Sequence, residues 1–319
     1  MLTRYDIDCL DHRDPARIER LITLIEPFLE RWFRPVVRGL QHVPEGPALY
    51  VANHNGGLVS ADTFIFGASI YRARGLKAVP YALAHDVILQ TPGIHQLLVP
   101  LGAVRASAAN AHAIFDRGHK VLVYPGGDID SMRPFALRDR IVFGPRRGYI
   151  RLALRAGVPI VPVVAAGAHA TSIVLTDGRR LAKLLGLPRR FRMEVCPVTL
   201  SIPWGLVVGI TPPYFPLPTR IFLEVMAPIA FDRAGDAAAR DPEYVERCHR
   251  QVHGAMEARL SELAAERAGR ASAPPLTCSA LPQPGLPSRR GVVRIGTHVI
   301  AKSANARVQS TPEMRISQR

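Results

Sequence analysis

Three observations predict an α/β fold, a mixed sheet covered by helices and forming a single domain. Short apolar runs at 49–51, 101–104, 121–124, 160–164 and 221–225 have the length of buried strands. Between them, residues 61–71, 106–117 and 150–156 carry apolar side chains at helical spacing, and strands alternating with helices require a sheet with covered faces. At 319 residues and 48% hydrophobic content, the chain can bury a core of that size and is neither disordered nor fibrous.

Asp14-Pro15 is a helix start, an acceptor side chain at the cap followed by proline at the first helical position. From there Ile18, Leu21, Ile22, Ile25, Phe28, Leu29 and Trp32 recur at three- and four-residue spacings, flanked by Arg17, Arg20, Arg31 and Arg34. Such a helix either packs on the core or lies in a lipid headgroup layer. Asp241-Pro242 starts a last helix whose buried face is Val245, Cys248, Val252, Met256, Leu260 and Leu263. Beyond Gly269, prolines at 274, 275, 282, 284 and 287 crowd a segment without apolar periodicity, which reads as disordered. The expected organisation is an N-terminal amphipathic helix region at 1–40, a catalytic domain at 41–265 and a disordered basic tail at 266–319.

Lys and Arg number 41 against 26 Asp and Glu, a formal charge of +15, and the lysines are only Lys77, Lys120, Lys183 and Lys302. An arginine-favouring composition explains this as well as an anionic partner does, whether nucleic acid or membrane. No zinc-ligand spacing or aromatic stacking ladder favours nucleic acid, so no specific nucleic acid is expected. Cys9, Cys196, Cys248 and Cys278 are scattered, which argues against a disulfide scaffold or a metal site. Met1 is followed by Thr3, Arg4, Asp6 and Asp8 rather than by a basic stub and an apolar run, so the expectation is no signal peptide and a cytoplasmic location.

Residues 195–219 contain no Asp, Glu, Lys or Arg and are long enough for a membrane span. Pro197, Pro203, Pro212, Pro213, Pro216 and Pro218 would break any helix there. A proline-bent apolar loop with Trp204 and Phe215 is expected, either buried or dipped into a bilayer surface. Residues 156–176, with a strand, two glycines and His169, read as core.

The chemistry concentrates at strand ends. Asn53-His54-Asn55-Gly56-Gly57 follows the first strand, and Asp62 opens the next helix. A histidine with a carboxylate near its second ring nitrogen is a general-base arrangement, and Gly56 and Gly57 permit the turn that would bring Asp62 back. The plainer alternative has His54 capping a turn and Asp62 capping the helix. A second strand ends at Arg105 and a third at Tyr124-Pro125-Gly126-Gly127-Asp128, with Arg133 shortly after. In open α/β sheets this edge binds ligands, and glycine-rich turns let backbone N–H groups approach an anion. Arg105, Arg133 and Arg147 are candidate phosphate contacts, with solvated surface as the alternative for each, and His169 is a candidate for the same rim.

The order of four blocks resembles the glycerolipid (lysophospholipid) acyltransferase superfamily, in a branch close to the diacylglycerol acyltransferases. They are Val51-Ala52-Asn53-His54 with Asp62, Leu101-Gly102-Ala103-Val104-Arg105-Ala106-Ser107, Val121-Leu122-Val123-Tyr124-Pro125-Gly126-Gly127, and Gly157-Val158-Pro159-Ile160-Val161-Pro162-Val163. Ile202-Pro203-Trp204-Gly205-Leu206 and Pro216-Leu217-Pro218 resemble the same branch, and the likeness covers residues 33–263. It implies transfer of a fatty acyl group from acyl-coenzyme A or acyl carrier protein to a lipid hydroxyl. His54 would be the base and Asp62 would orient it. Asn53, Gly56, Gly57, Arg105, Tyr124, Gly126, Gly127 and Arg133 would contact substrate. No metal or cofactor is implied beyond the acyl donor itself, and the partners are a lipid acceptor and a membrane surface, with peripheral attachment at the cytoplasmic face.

Two departures bear on this. The family commonly places four residues between His and Asp, which falls on Val59, whereas seven separate His54 from Asp62. The third block commonly reads Pro-Glu-Gly-Thr-Arg, and here Pro125 precedes Gly126, Gly127 and Asp128, which weakens the case for a phosphorylated acceptor. A lipid-binding protein of the same fold that has lost catalysis is the alternative.

Overall fold

A run that is apolar at every position belongs in the middle of a sheet covered on both faces. Leu49-Tyr50-Val51-Ala52 is such a run, buried at all four residues. The computed structural model describes residues 3–57, 60–191, 193–209 and 214–272. In chain order its elements are α1 (Pro15–Phe33), β1 (Val36–Arg38), β2 (Leu49–Ala52), α2 (Ala61–Arg74), β3 (Tyr81–Ala84), α3 (Asp86–Gln90), α4 (Ile94–Leu98), β4 (Ala103–Arg105), α5 (Ala108–Asp116), β5 (Val121–Val123), α6 (Gly127–Ser131) and α7 (Gly148–Ala156). There follow β6 (Ile160–Ala166), β7 (Ile173–Thr176), α8 (Arg179–Leu184), α9 (Leu187–Phe191), β8 (Val198–Ser201), β9 (Gly205–Val208), β10 (Phe222–Val225), α10 (Gly235–Arg240) and α11 (Pro242–Ser272).

The main sheet has the order β1-β10-β6-β2-β5-β3-β4. The five strands from β6 to β4 run parallel, β10 is antiparallel to β6, and β1 is parallel to β10. Because side chains alternate across a strand, β2 sends Leu49 and Val51 to one face, beneath α5, α7, α10 and α11. Tyr50 and Ala52 go to the other face, against Leu29 and Phe33 of α1 and Ile65 and Phe66 of α2.

The α/β sheet covered by helices is therefore the fold read from the sequence, with adjustments. The run expected as a strand at 101–104 begins as a 3-10 turn at Val99–Leu101, and Gly102 turns the chain at φ +95° before β4 starts at Ala103. Pro100 has no N–H to give a ladder, which delays the strand. The segment 195–219 is not a loop throughout, because β8 and β9 form a hairpin that extends β7 into a three-stranded antiparallel sheet. A boundary at residue 40 would cut the core, since α1 and β1 belong to the main sheet and its cover. α11 runs to Ser272, so residues 266–272 are helical, and the rest of the expected tail lies outside the described residues.

Asp14 caps α1 as expected, its carboxylate accepting the Arg17 N–H at 3.1 Å, with Pro15 next. Ile18, Ile22, Leu29 and Phe33 are buried, so the helix packs on the core, while Leu24 stays 74% exposed. Val252, Met256 and Leu260 of α11 are fully enclosed. Leu260→Ala should therefore cost about 2–5 kcal/mol, the usual effect of an unfilled cavity, read as a lower denaturant midpoint at unchanged m-value.

Candidate active site

Parallel strands deliver their carboxyl ends to one edge, where β2, β5 and β6 present Asn53-His54-Asn55, Tyr124 and the turn holding His169. The His54 imidazole lies 4.4 Å from the Tyr124 ring, centroid to centroid, at an angle of 31°. Its Nδ1 is buried without a hydrogen-bond partner. Burial, and then the charge of Arg133, hold the His54 pKa down to about 4, against smaller raising effects from the Asn55 main chain and Asp128. The ring is neutral at physiological pH. His169 is fully buried, donates from Nε2 to the Arg133 carbonyl at 2.8 Å, and is pushed down to about 3, mainly by burial.

The main chain of His54 is held from two sides. Its N–H donates to Asp130 Oδ2 at 2.6 Å, and its carbonyl accepts from Arg133 Nη1 at 2.6 Å. Asp130 Oδ1 also accepts the Val142 N–H at 2.9 Å and Arg133 Nη1 at 3.1 Å. Burial raises the Asp130 pKa, and Arg133 and these N–H donors oppose it. Arg133 further donates from Nε to Leu137 O, from Nη1 to Asp130 O, and from Nη2 to Asn55 Oδ1 and Arg138 O.

Asp62 is buried in the first turn of α2. Its carboxylate accepts from Asn55 Nδ2 at 2.8 Å and Ser60 Oγ at 3.0 Å, and these, not His54, are its recorded side-chain partners. Burial raises its pKa to about 6 despite those bonds. A chain of hydroxyls continues from Ser60 through Thr63 to Tyr124, whose Oη lies 2.5 Å from Thr63 Oγ1. The seven-residue spacing thus places the carboxylate on the histidine's neighbour, and Val59 lies outside the described residues.

The remaining sequence-predicted residues divide clearly. Asn53 is fully buried and pairs with the Ala165 main chain through both ends of its amide, at 2.9 and 3.0 Å, extending the β2–β6 ladder instead of facing substrate. Arg133, expected at a phosphate, is fully buried with its donors engaged by protein. Gly57 donates its N–H to Ser131 O, Gly127 donates to Tyr124 O, and the Gly56 carbonyl accepts the Tyr214 hydroxyl. These three glycines shape the turns beside His54 and Tyr124. Gly126 is closed in, because a Cβ there would collide with Asp130 and come 2.6 Å from Val142 O. Arg105 pairs with Asp8 at 3.0 Å on the edge strand β4. With β5 and β3 between it and β2, it stands roughly 14 Å of sheet width from His54, at about 4.8 Å per strand. Arg147 pairs with Glu246. Sequence reasoning missed Asp130 and Asn55; the one available signal was the Asp130–Arg133 spacing of one helical turn.

Residues 34–166, which hold His54, Asp62, Tyr124 and Asp130, match the family model described as Acyltransferase. Among curated proteins the chain is 30% identical over 154 residues to the Homo sapiens "DGAT1/2-independent enzyme synthesizing storage lipids", covering 47% of this chain and 45% of that one. Residues 34–166, less than half of the chain, thus carry the likeness to that family. An uncharacterized protein of Mycobacterium tuberculosis is 29% identical over 245 residues, 76% of this chain, and the chain spans 65% of that relative's length. The crystal structure of the 1-acyl-sn-glycerophosphate (LPA) acyltransferase PlsC from Thermotoga maritima superposes with a TM-score of 0.47 at 19% identity, covering 78% of this chain and 82% of that one.

Beside this rim lies an apolar cleft of about 380 Å³, lined by Thr171, Ile173, Leu200, Tyr214, Phe215 and Leu217 among others. Tyr214 joins the two, walling the cleft while its hydroxyl holds the Gly56 carbonyl. Among the described residues no three His, Cys, Asp or Glu side chains are grouped to hold a metal ion. Gly126→Ala should displace Asp130 and the 142 carbonyl together. The expected result is soluble protein with a melting temperature several degrees lower and little turnover, checked by thermal unfolding beside an acyl-transfer assay.

Proposed function

We propose that the protein transfers a fatty acyl group from a thioester donor, acyl-coenzyme A or acyl carrier protein, to a lipid hydroxyl at a membrane surface. The observation that carries this reading is His54: a neutral imidazole at the carboxyl edge of the sheet, inside the acyltransferase-matched residues and beside an apolar cleft. His54 Nε2 takes the hydroxyl proton as the alcohol oxygen attacks the thioester carbonyl. The C–S bond then breaks, and the thiolate leaves with that proton from the imidazolium, giving an ester and a free thiol. Histidine suits both transfers because it gains and loses a proton near neutrality. The relatives named as making storage lipids support a lipid acceptor. The cleft suits the apolar chain of a substrate.

Asp62 is the carboxylate this reading assigns to Nδ1. Turned from Asn55 to His54, it would raise the imidazole's basicity and lower its own pKa, since each charge would stabilise the other. Its recorded place on Asn55 favours the second reading, a lipid-binding protein without turnover.

Membrane attachment is read from the apolar outer face of the β7–β8–β9 sheet. Leu200 lies opposite Leu206 and Val198 opposite Val208, and Leu206 and Val208 are 64% and 60% exposed. Trp204 at the hairpin turn is half exposed. This surface continues to α1 through Phe215, whose ring lies 5.0 Å from that of Trp32. Contiguous exposed apolar surface of this kind marks interaction sites. No helix among the described residues is long and apolar enough to cross a membrane, and the attachment this reading proposes is peripheral, at the cytoplasmic face.

His54→Ala should lower turnover by on the order of 10²–10⁴-fold, the contribution of a positioned general base, and Asp62→Asn by less. Only the neutral imidazole accepts a proton, so activity should be full above roughly pH 7, a unit above the Asp62 value, and fall as the pH drops through the range set by Asp62 (about 6) and His54 (about 4). Product mass after incubation with labelled acyl-coenzyme A and a panel of lysophospholipids, mono- and diacylglycerols and fatty alcohols gives the rates. Binding of lipid with no product from any acceptor would establish the second reading. In vesicle flotation, the double variant Trp204→Ser, Leu206→Ser should lose most membrane binding while keeping turnover on detergent-dispersed substrate.

A further inference from the structure

We propose that Asp130 and Arg133 are positioning residues: a buried ion pair that holds His54 by both of its main-chain polar groups and holds Asp62 through Asn55. The inference rests on reading His54 as the base. Both side chains are fully buried. A pair that only filled space could be replaced by apolar side chains of the same shape at little cost, because desolvation offsets most of the attraction. What apolar groups lack is direction.

The His54 N–H belongs to the peptide plane shared with Asn53, and its carbonyl to the plane shared with Asn55. Asp130 fixes the first plane and Arg133 the second, each by a charge-assisted bond of 2.6 Å. Fixing both planes fixes φ and ψ at His54, hence the direction of its Cα–Cβ bond. The Tyr124 ring then bounds where the imidazole can lie. The second arm runs from Arg133 Nη2 to Asn55 Oδ1 at 2.7 Å and from Asn55 Nδ2 to Asp62 Oδ2 at 2.8 Å. One guanidinium therefore reaches both groups of the proposed catalytic pair. Its planar fork suits this, and a lysine ammonium with three donors cannot reproduce it.

The test combines steady-state kinetics with NMR titration of the His54 imidazole, using the full chain. Arg133→Lys, checked as folded by thermal unfolding, should lose on the order of 10²-fold in kcat, the scale of an ångström's misplacement, at nearly unchanged KM for the acyl donor. Arg133→Gln should in addition raise the His54 titration midpoint and shift the acid limb of the pH–rate profile upward. Arg133 is the cation that lowers His54, Asp128 acts in the opposite sense and His169 is neutral; Asp130 rises further once Arg133 is gone, but it is not among the groups that shift His54. Arg133→Lys should leave that midpoint nearly in place.

Folded Arg133→Lys and Asp130→Asn proteins with wild-type kcat would overturn the proposal, as would a loss of kcat that only tracks the fraction unfolded. Should both variants fail to fold, Asn55→Ser cuts the second arm alone: kcat lowered to the Asp62→Asn level supports the proposal, and wild-type kcat overturns it. His54→Ala run in parallel keeps the two ideas separate. Wild-type turnover there removes His54 as base, whereas a dead His54→Ala beside unaffected Arg133 and Asp130 variants removes only the positioning role.

Discussion

The arrangement of the rim depends on one constraint, that the guanidinium of Arg133 must be satisfied without water. A buried, unpaired charge is costly enough that the surrounding chain has to supply acceptors or exclude it. Here the acceptors come from three stretches: the turn after β2, which gives the His54 carbonyl and the Asn55 amide, the end of α6, and the carbonyls at 137 and 138. Each can reach the guanidinium only if the loop carrying it takes one shape. Loops after parallel strands ordinarily have freedom to vary, and this charge removes it.

The same constraint explains the glycines better than a contact to substrate does. Gly126 lies against Asp130 and Val142 O so closely that no side chain fits. Gly57 takes φ +60° and places its N–H on Ser131 O, which ties the turn after β2 to the end of α6. Gly126 lets the chain close on Asp130, and Gly57 lets the turn after β2 meet the end of α6. The Asn53 amide completes the anchoring by continuing the β2–β6 ladder one residue past the strand.

Much of the fold was legible because it repeats with a period. The capped starts at Asp14 and Asp241, the apolar faces of α1 and α11, and the runs that became β2, β5, β6 and β10 all announce themselves locally. β3 did not, since Tyr81-Ala82-Leu83-Ala84 is only four residues, two of them alanine, with no polar–apolar alternation. The β8–β9 hairpin was hidden for another reason: β8 alternates with its polar Thr199 and Ser201 buried and Leu200 outward, β9 is apolar after its glycine, and the flanking prolines suggested a loop. At the site, His54, Tyr124 and the shared strand edge were readable from strand ends and turns. The roles of Asp130 and Arg133 were not, because their bonds to His54 span 76 and 79 residues, and a cation in an arginine-rich chain looks like surface until its burial is known.

The proton affinities of the site are inverted from their ordinary order, and this follows from the same packing. His54 is held down to about 4 and Asp62 up to about 6, so a single proton shared between them at pH 5 resides on the carboxyl. In water the ordinary values would place it on the imidazole. Burial disfavours charge on either group, and Arg133 adds to this at His54 while the Asn55 and Ser60 donors only partly offset it at Asp62. A base that must receive a proton from an alcohol gains from the reverse order, which the two groups attain only by charging together, each stabilising the other at contact. On the proposed reading, holding the pair is separate from charging it: Arg133 and Asn55 hold the two segments, and the approach of Asp62 to His54 Nδ1 is the step that would make the imidazole basic enough to act.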